Sequence, residues 1–88
     1  MTREEFTRML EQEGFGEIVL VEREPYGALD THIHPFEGKA LILAGEIRIE
    51  SGTAAMTYRA GDVFHLAAHE PHTESYGPTG VRYVVGRR

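Results

Sequence analysis

The sequence predicts an all-β barrel preceded by one short helix, and three observations lead to this prediction. The chain has 88 residues, which is enough for one domain with one small core. Runs of β-branched and other apolar residues begin at residue 17 and are separated by turn signals about every eight to twelve residues, a spacing typical of sandwiches and barrels. Only the first 15 residues show helical periodicity. We therefore expect one domain over 1–88, with the helix in 1–15 and the barrel in 16–86.

The helix is predicted by a capping signal and by its apolar spacing. Thr2 followed by Glu5 has the form of a capping box, in which each side chain binds a backbone N–H of the first turn. Three apolar residues then recur at i, i+3 and i+4: Phe6, Met9 and Leu10. Gly14 is a typical terminator, so we expect the helix to end near it.

The first predicted strand, Glu17–Arg23, is apolar on both faces between Ile18 and Val21. A strand of this kind is usually covered on both sides. On a monomer it would also leave an exposed edge, which natural proteins cover or pair. We therefore expect a two-fold homodimer in which this strand and the preceding helix contribute to the interface.

The later strands are delimited by turn residues. Gly45 predicts a bend that divides 40–50 into two strands, and the segment 77–80 predicts a turn before a final strand over 81–85. The whole pattern gives about eight strands. With one helix and this number of strands, a small jelly-roll barrel is the simplest closure.

Three histidines indicate a metal site in this barrel. His32 and His34 are separated by one residue in a predicted strand, so their side chains share a face. His72 lies at the end of a later strand, and a fold that joins the two segments would place three imidazoles around one point. Neutral imidazoles suit zinc, iron, manganese or nickel. The chain has no cysteine, so a thiolate site is excluded.

The same residues resemble the two sequence motifs of the cupin family. The first motif is matched by Gly27, His32, His34 and Gly45, and the second by Gly61, Asp62 and His72. The resemblance covers about 26–83 and implies a small single-domain cupin with a jelly-roll barrel. It also implies a divalent transition metal held by His32, His34, His72 and a glutamate of the first motif.

The chain departs from the motifs at two places. Gly38 stands where the first motif has its glutamate, and Glu37 comes one residue early. In the second motif Ala67 and His69 replace a proline and a glycine. The resemblance therefore does not by itself say which carboxylate completes the site.

Glu37 is the carboxylate that sequence reasoning assigns to the site, as a fourth metal ligand or as a general base acting on metal-bound water. On a regular strand its parity is opposite to that of His34, which would turn it to the outer face. Pro35 before it and Gly38 after it favour a bulge, which would re-aim it by one position. Both orientations stay open at this stage.

Two further histidines receive other roles. His65 alternates out of phase with Phe64 and Leu66, so we expect it to face away from the core. His69 is expected in a loop at the barrel mouth.

The cupin resemblance implies a metal-dependent enzyme that acts on a small polar molecule, with dioxygenase, isomerase or lyase chemistry. The alternative is a non-catalytic module that binds or senses a small molecule in the same pocket. A metal-free barrel with structural histidines is the third possibility. Fold does not choose among these functions.

Charge and composition restrict the partners. The net charge of −5 argues against nucleic acid as a partner, because that affinity comes mainly from clustered Lys and Arg. No apolar run approaches the roughly 18 residues of a membrane span, and the N-terminus lacks the pattern of a signal peptide. We therefore expect a soluble cytoplasmic protein that binds a small molecule.

Overall fold

The computed structural model describes residues 1–88 as one helix and a single six-stranded sheet in which every strand pair is antiparallel. The elements are α1 Arg3–Gln12, β1 Glu17–Arg23, β2 Ala28–His32, β3 Gly38–Ser51, β4 Ala54–Arg59, β5 Val63–Leu66 and β6 His72–Arg87. The strand order is β1-β6-β3-β4, with β2 also paired to β6 and β5 to β3. The predicted capping box of Thr2 and Glu5 is present at the start of α1.

The structure has six strands where the sequence predicts about eight, because two long strands run through the predicted turns. β3 and β6 are 14 and 16 residues long, and the register between them shifts on either side of Gly45. Gly45 and Gly80 each have a φ of 75°, a conformation that favours glycine. These residues bend the two strands while their hydrogen-bonded pairing resumes beyond the bend, as a β-bulge does.

The curved sheet has apolar side chains on both faces. The inner cluster consists of Val21, Ala40, Ile42, Ile47, Ile49, Phe64, Tyr76, Val81, Tyr83 and Val85. The outer cluster lies beneath the helix and consists of Phe6, Leu10, Phe15, Leu41 and Val84. Each long strand supplies residues to both clusters, because alternate side chains point to opposite faces.

The helix explains part of the two-faced apolar pattern of β1. Val19 and Val21 pack against the inner cluster, whereas Ile18 packs against the outer cluster under α1. Leu20 remains 40% exposed. The chain itself therefore covers one end of the outer face of β1, and the homodimer stays a prediction.

Candidate metal centre

Strand pairing brings the three histidines of the sequence motif together. β2 runs antiparallel to β6, and His32 lies directly opposite His72 in the register. The two rings have centroids 4.2 Å apart. His34 follows the end of β2, and its ring centroid lies 4.9 Å from that of His32 and 5.3 Å from that of His72.

A fourth ligand-bearing residue, Glu74, joins this cluster. It follows His72 by two residues on β6, so both side chains point to the inner face. Its Oε2 atom lies 3.1 Å from His32 Nε2 and 3.2 Å from His72 Nε2. One donor atom from each of the four residues lies within 4.8 Å of the other three. His72 and Glu74 are buried, with 2% and 8% of their surface exposed.

Backbone contacts fix the protonation of two rings. The Nδ1 atom of His32 lies 2.7 Å from the carbonyl oxygen of Asp30, and that of His72 lies 2.9 Å from the carbonyl oxygen of Glu70. A carbonyl oxygen only accepts, so each Nδ1 donates and carries the proton. In the neutral rings both Nε2 atoms therefore present lone pairs to the Glu74 carboxylate, which is itself an acceptor. When both rings are neutral, three acceptors thus converge with no proton between them.

The surroundings of His34 favour its neutral form. Burial lowers the pKa of His34, and the nearby His32 and His72 lower it further. Its ring stacks on Phe36 with centroids 4.9 Å apart, and its backbone carbonyl oxygen accepts a 2.7 Å hydrogen bond from the N–H of His69. The ring is therefore positioned by packing and by the adjacent loop, with its nitrogens available as ligands.

Tyr76 orients the Glu74 carboxylate. The Tyr76 hydroxyl donates a 3.1 Å hydrogen bond to Oε1 of Glu74, which leaves Oε2 for the histidines. Burial raises the pKa of Tyr76 to about 12, and the negative charge of Glu74 adds to the effect. The phenol therefore keeps its proton and acts as a fixed donor.

The donor set fits a divalent transition metal. Imidazole and carboxylate bonds to such a metal are about 2.0–2.2 Å long, which places neighbouring donors on one ion about 2.9–3.5 Å apart. The two separations from Glu74 Oε2 lie inside that range. The widest separation among the four donor atoms is within 4.8 Å. Three neutral nitrogens and one carboxylate oxygen suit zinc, iron, manganese or nickel.

Glu37, the carboxylate assigned from the sequence, does not lie in this cluster. Its carboxylate accepts from Arg88 Nε at 2.6 Å and contacts His65 Nε2 at 2.5 Å. The hydrogen bond from Arg88 lowers the pKa of Glu37 to about 2, with a second contribution from His65. Pro35 and Gly38 do not turn the Glu37 side chain towards the inner face. Glu37 has the same parity as Leu41, which belongs to the outer cluster. The bulge lies earlier, between Leu29 and His32.

The remaining histidines lie outside the cluster. His65 is exposed on the outer face, where its parity places it. His69 is an exposed loop residue with a φ of 62°. The residue that sequence reasoning missed is Glu74, although the i, i+2 rule that selected His32 and His34 applies equally to His72 and Glu74.

A cavity of about 70 Å³ adjoins the cluster. His34 and Glu74 form part of its wall, and most of the rest is apolar. The apolar residues include Val21, Leu29, Phe36, Phe64, Leu66 and Val85. Two arginines, Arg23 and Arg87, also line it, together with Gly38 and Tyr83.

Solved structures with the same arrangement of strands identify the fold. An RmlC-like cupin from Shewanella frigidimarina superposes with a TM-score of 0.69 at 20% identity, over 80% of this chain and 62% of the other. The chain has the cupin fold. A cupin superfamily protein from Desulfitobacterium hafniense matches with a TM-score of 0.68 at 19% identity, over 78% of this chain and 63% of the other. The small cupin domain and jelly-roll barrel expected from the motifs are thus confirmed.

An enzyme is among the solved structures that match. The oxalate decarboxylase of Lactobacillus farciminis, solved as a formate complex, has a TM-score of 0.71 at 21% identity, over 80% of this chain and 22% of that one. This chain spans between 62 and 66% of the first three structures that it matches. No protein-family model matches the sequence, and the comparison with curated proteins finds no match either. The single helix is too short to cross a membrane.

Proposed function

We propose that this cupin binds one divalent transition metal through His32, His34, His72 and Glu74 and acts as a metal-dependent enzyme on a small molecule. The observation that supports the metal most strongly is the convergence of acceptors. Two Nε2 lone pairs face a carboxylate oxygen in a buried setting, which is costly unless a cation lies among them. A bound metal removes that cost.

The chemistry of the pocket follows from its lining. The four residues would hold a metal whose chemistry is that of a Lewis acid, which would lower the pKa of coordinated water and polarise a substrate oxygen. Tyr76 holds the Glu74 carboxylate in place, and the apolar wall limits the access of water. These features fit the dioxygenase, isomerase or lyase classes that the cupin resemblance implies.

A non-catalytic binding or sensing module is the second candidate, and one observation favours it. Glu37, the proposed base, is bonded to Arg88 and His65 and does not line the cavity. Burial also raises the pKa of the cavity residue Tyr83, so this phenol is no base near neutral pH. Catalysis would then depend on the histidine cluster alone.

The metal can be tested through the stability of the fold. At a zinc concentration a hundredfold above the dissociation constant, binding stabilises the folded state by about 2.7 kcal/mol. For a domain of this size that raises Tm by about 10–20 °C. The His34→Ala variant should lose most of this rise, whereas His65→Ala should keep it, because His65 lies outside the cluster. Differential scanning calorimetry with and without zinc measures the shift.

The pH dependence provides a second readout. Imidazolium does not bind metal, so the zinc-dependent rise in Tm should fade as pH falls through about 6.5. The proposal fails if chelation, acidification and His34→Ala all leave Tm unchanged and the purified protein contains no metal. In that case the histidines are structural.

The remaining assignments are proposals drawn from composition and pattern. We propose a single domain over 1–88, with the helix in 1–15 and the barrel in 16–86, and a cytoplasmic location. The acidic net charge supports a small molecule over nucleic acid as the partner.

A further inference from the structure

One guanidinium nitrogen in the cavity has no partner. The Nε atom of Arg87 is buried and forms no hydrogen bond, and it is the only buried side-chain nitrogen or oxygen in the chain without one. Arg87 lines the cavity beside His34 and Glu74. A buried, unpaired donor on a charged group is costly, so such a donor indicates a ligand.

The other contacts of Arg87 leave one edge of its guanidinium group available. Its Nη1 atom lies 3.3 Å from Oε1 of Glu17, the residue directly opposite Arg87 on β1. Its Cζ atom lies 4.8 Å from the ring centroid of Phe36, so the flat face of the group is also occupied. The Nε edge is the part that can form a pair of parallel hydrogen bonds with a carboxylate.

The charge of the cavity favours an anion. The two guanidinium groups of Arg23 and Arg87 and the one carboxylate of Glu74 give its lining a formal charge of +1, although the whole chain carries −5. A divalent metal on the cluster would raise the local charge to +3. Glu17 pairs with Arg87 and offsets one of these positive charges, although its side chain is 66% exposed. An anionic ligand would balance the excess.

The size of the cavity limits the ligand. A volume of about 70 Å³ holds roughly five to seven atoms the size of a water oxygen, at about 10–15 Å³ each. The apolar wall favours a short carbon body between polar ends.

From these observations we infer that the substrate or ligand is a small carboxylic acid, whose carboxylate pairs with the Nε edge of Arg87 and whose other polar end, for example a hydroxyl, faces the histidine cluster. This inference rests on the proposed metal site and names the class of molecule that the site takes. Arg23 adds positive charge to the same wall. Arg87 is thus a specificity-determining residue.

Calorimetric titration of the zinc-loaded protein tests the inference. The probes are lactate and 3-hydroxypropionate, two isomers with six non-hydrogen atoms, and each is compared with its neutral amide. We expect at least one acid to bind at least tenfold more tightly than its amide. The Arg87→Gln variant should bind that acid at least tenfold more weakly than the wild type does. Its affinity for zinc should stay within about twofold of the wild-type value.

Two variants serve as matched controls. Arg82→Gln removes an exposed guanidinium from the same strand, where Arg82 pairs with Glu22 outside the cavity. Glu17→Gln removes the outer ion pair of Arg87 but keeps its guanidinium group. Neither should change the affinity for the acid. Equal loss in Glu17→Gln would show that Arg87 acts through the ion pair and would overturn the inference.

The outcomes separate this inference from the proposed function. If the wild-type protein binds no zinc, the proposed function fails and the inference falls with it. If zinc binds but neither acid is preferred over its amide, or Arg87→Gln binds the acid as well as the wild type, only the inference is overturned. If the Arg87→Gln variant does not fold, the Arg87→Lys variant takes its place. The comparison of acid with amide on the wild-type protein then decides the question together with that variant.

Discussion

At the scale of single residues, Glu74 carries the strongest chemical constraint in the molecule. Its buried carboxylate lies beside two imidazole nitrogens that present lone pairs, and its second oxygen is bonded to Tyr76. Burying acceptors against one another is unfavourable without a cation. A metal among His32, His72 and Glu74 would turn this repulsion into ligation.

Replacing Glu74 with glutamine should separate metal binding from folding. The amide N–H groups of Gln can donate to the histidine lone pairs, so the metal-free variant should be as stable as the wild type or more so. Loss of the anionic ligand should weaken zinc binding by about 100-fold or more. Even the loss of a residue that only hydrogen-bonds to a ligand typically weakens metal binding by about 10–100-fold. Isothermal titration calorimetry and thermal unfolding measure the two effects. The matched variant Glu37→Gln should keep the wild-type zinc affinity, and a large loss there would contradict this assignment.

Glu37 should affect stability in acid. Its pKa is about 2 in the folded protein, below the ordinary value of 4.5, because Arg88 and His65 bind its ionised form. A lowered pKa gives stability that is present above about pH 4.5 and is lost as pH falls towards 2. Glu37→Gln should therefore lower Tm at pH 6, and its difference from the wild type should shrink towards pH 2. A difference that stays constant with pH would contradict this role.

The histidines of the proposed site were predictable from the sequence, and its carboxylate was missed. His32, His34 and His72 follow from strand parity and motif spacing, both of which are local properties. Glu74 obeys the same parity rule as His72 and Glu37 breaks it, but the cupin motif directed attention to Glu37. The bonds of Glu37 to Arg88 and His65, 51 and 28 residues away, show that its carboxylate has other partners.

At the scale of elements, the packing of α1 depends on a glycine in β6. A Cβ atom added to Gly86 would lie 2.9 Å from both terminal methyl carbons of Leu10 and from Cβ of Phe15. Such contacts must be relieved by moving the helix or the strand. The absence of a side chain at Gly86 therefore allows the helix to cover the outer face of the sheet.

The Gly86→Ala variant should destabilise the fold by about 1–3 kcal/mol, the usual cost of overpacking a core. Urea unfolding measures the change. Gly16→Ala is the control, because a Cβ atom there would meet nothing within 4 Å and Gly16 lacks a positive φ. Equal stability of the two variants would show that α1 is not tightly packed on the sheet.

The elements themselves were largely predictable, and their continuity was not. The capping box and Glu17–Arg23 match the structure because capping and strand propensity are local. The sequence pattern predicts strand ends at Gly45 and at 77–80. In the structure, the pairing of β3 with β6 continues on both sides of these positions. Whether a glycine bends a strand or ends it depends on the partner strand, which no local pattern shows.

At the scale of the whole molecule, the edge of β1 predicts self-association. β1 lies at one end of the strand order and pairs only with β6 within the chain, and its Leu20 is 40% exposed. We expect a two-fold dimer through this region. Sedimentation equilibrium at tens of micromolar should give twice the chain mass, and Leu20→Lys should shift the equilibrium towards monomer. A wild-type protein that is wholly monomeric there would contradict the dimer.

The central claim is that three histidines and Glu74 hold one metal inside the barrel. A crystal structure of the zinc-loaded protein, with anomalous data collected above and below the zinc edge, tests it most directly. We predict one anomalous peak within bonding distance of His32, His34, His72 and Glu74, with Glu37 still bound to Arg88. A peak ligated by Glu37, or an anomalous map with no peak at this cluster, would contradict the claim.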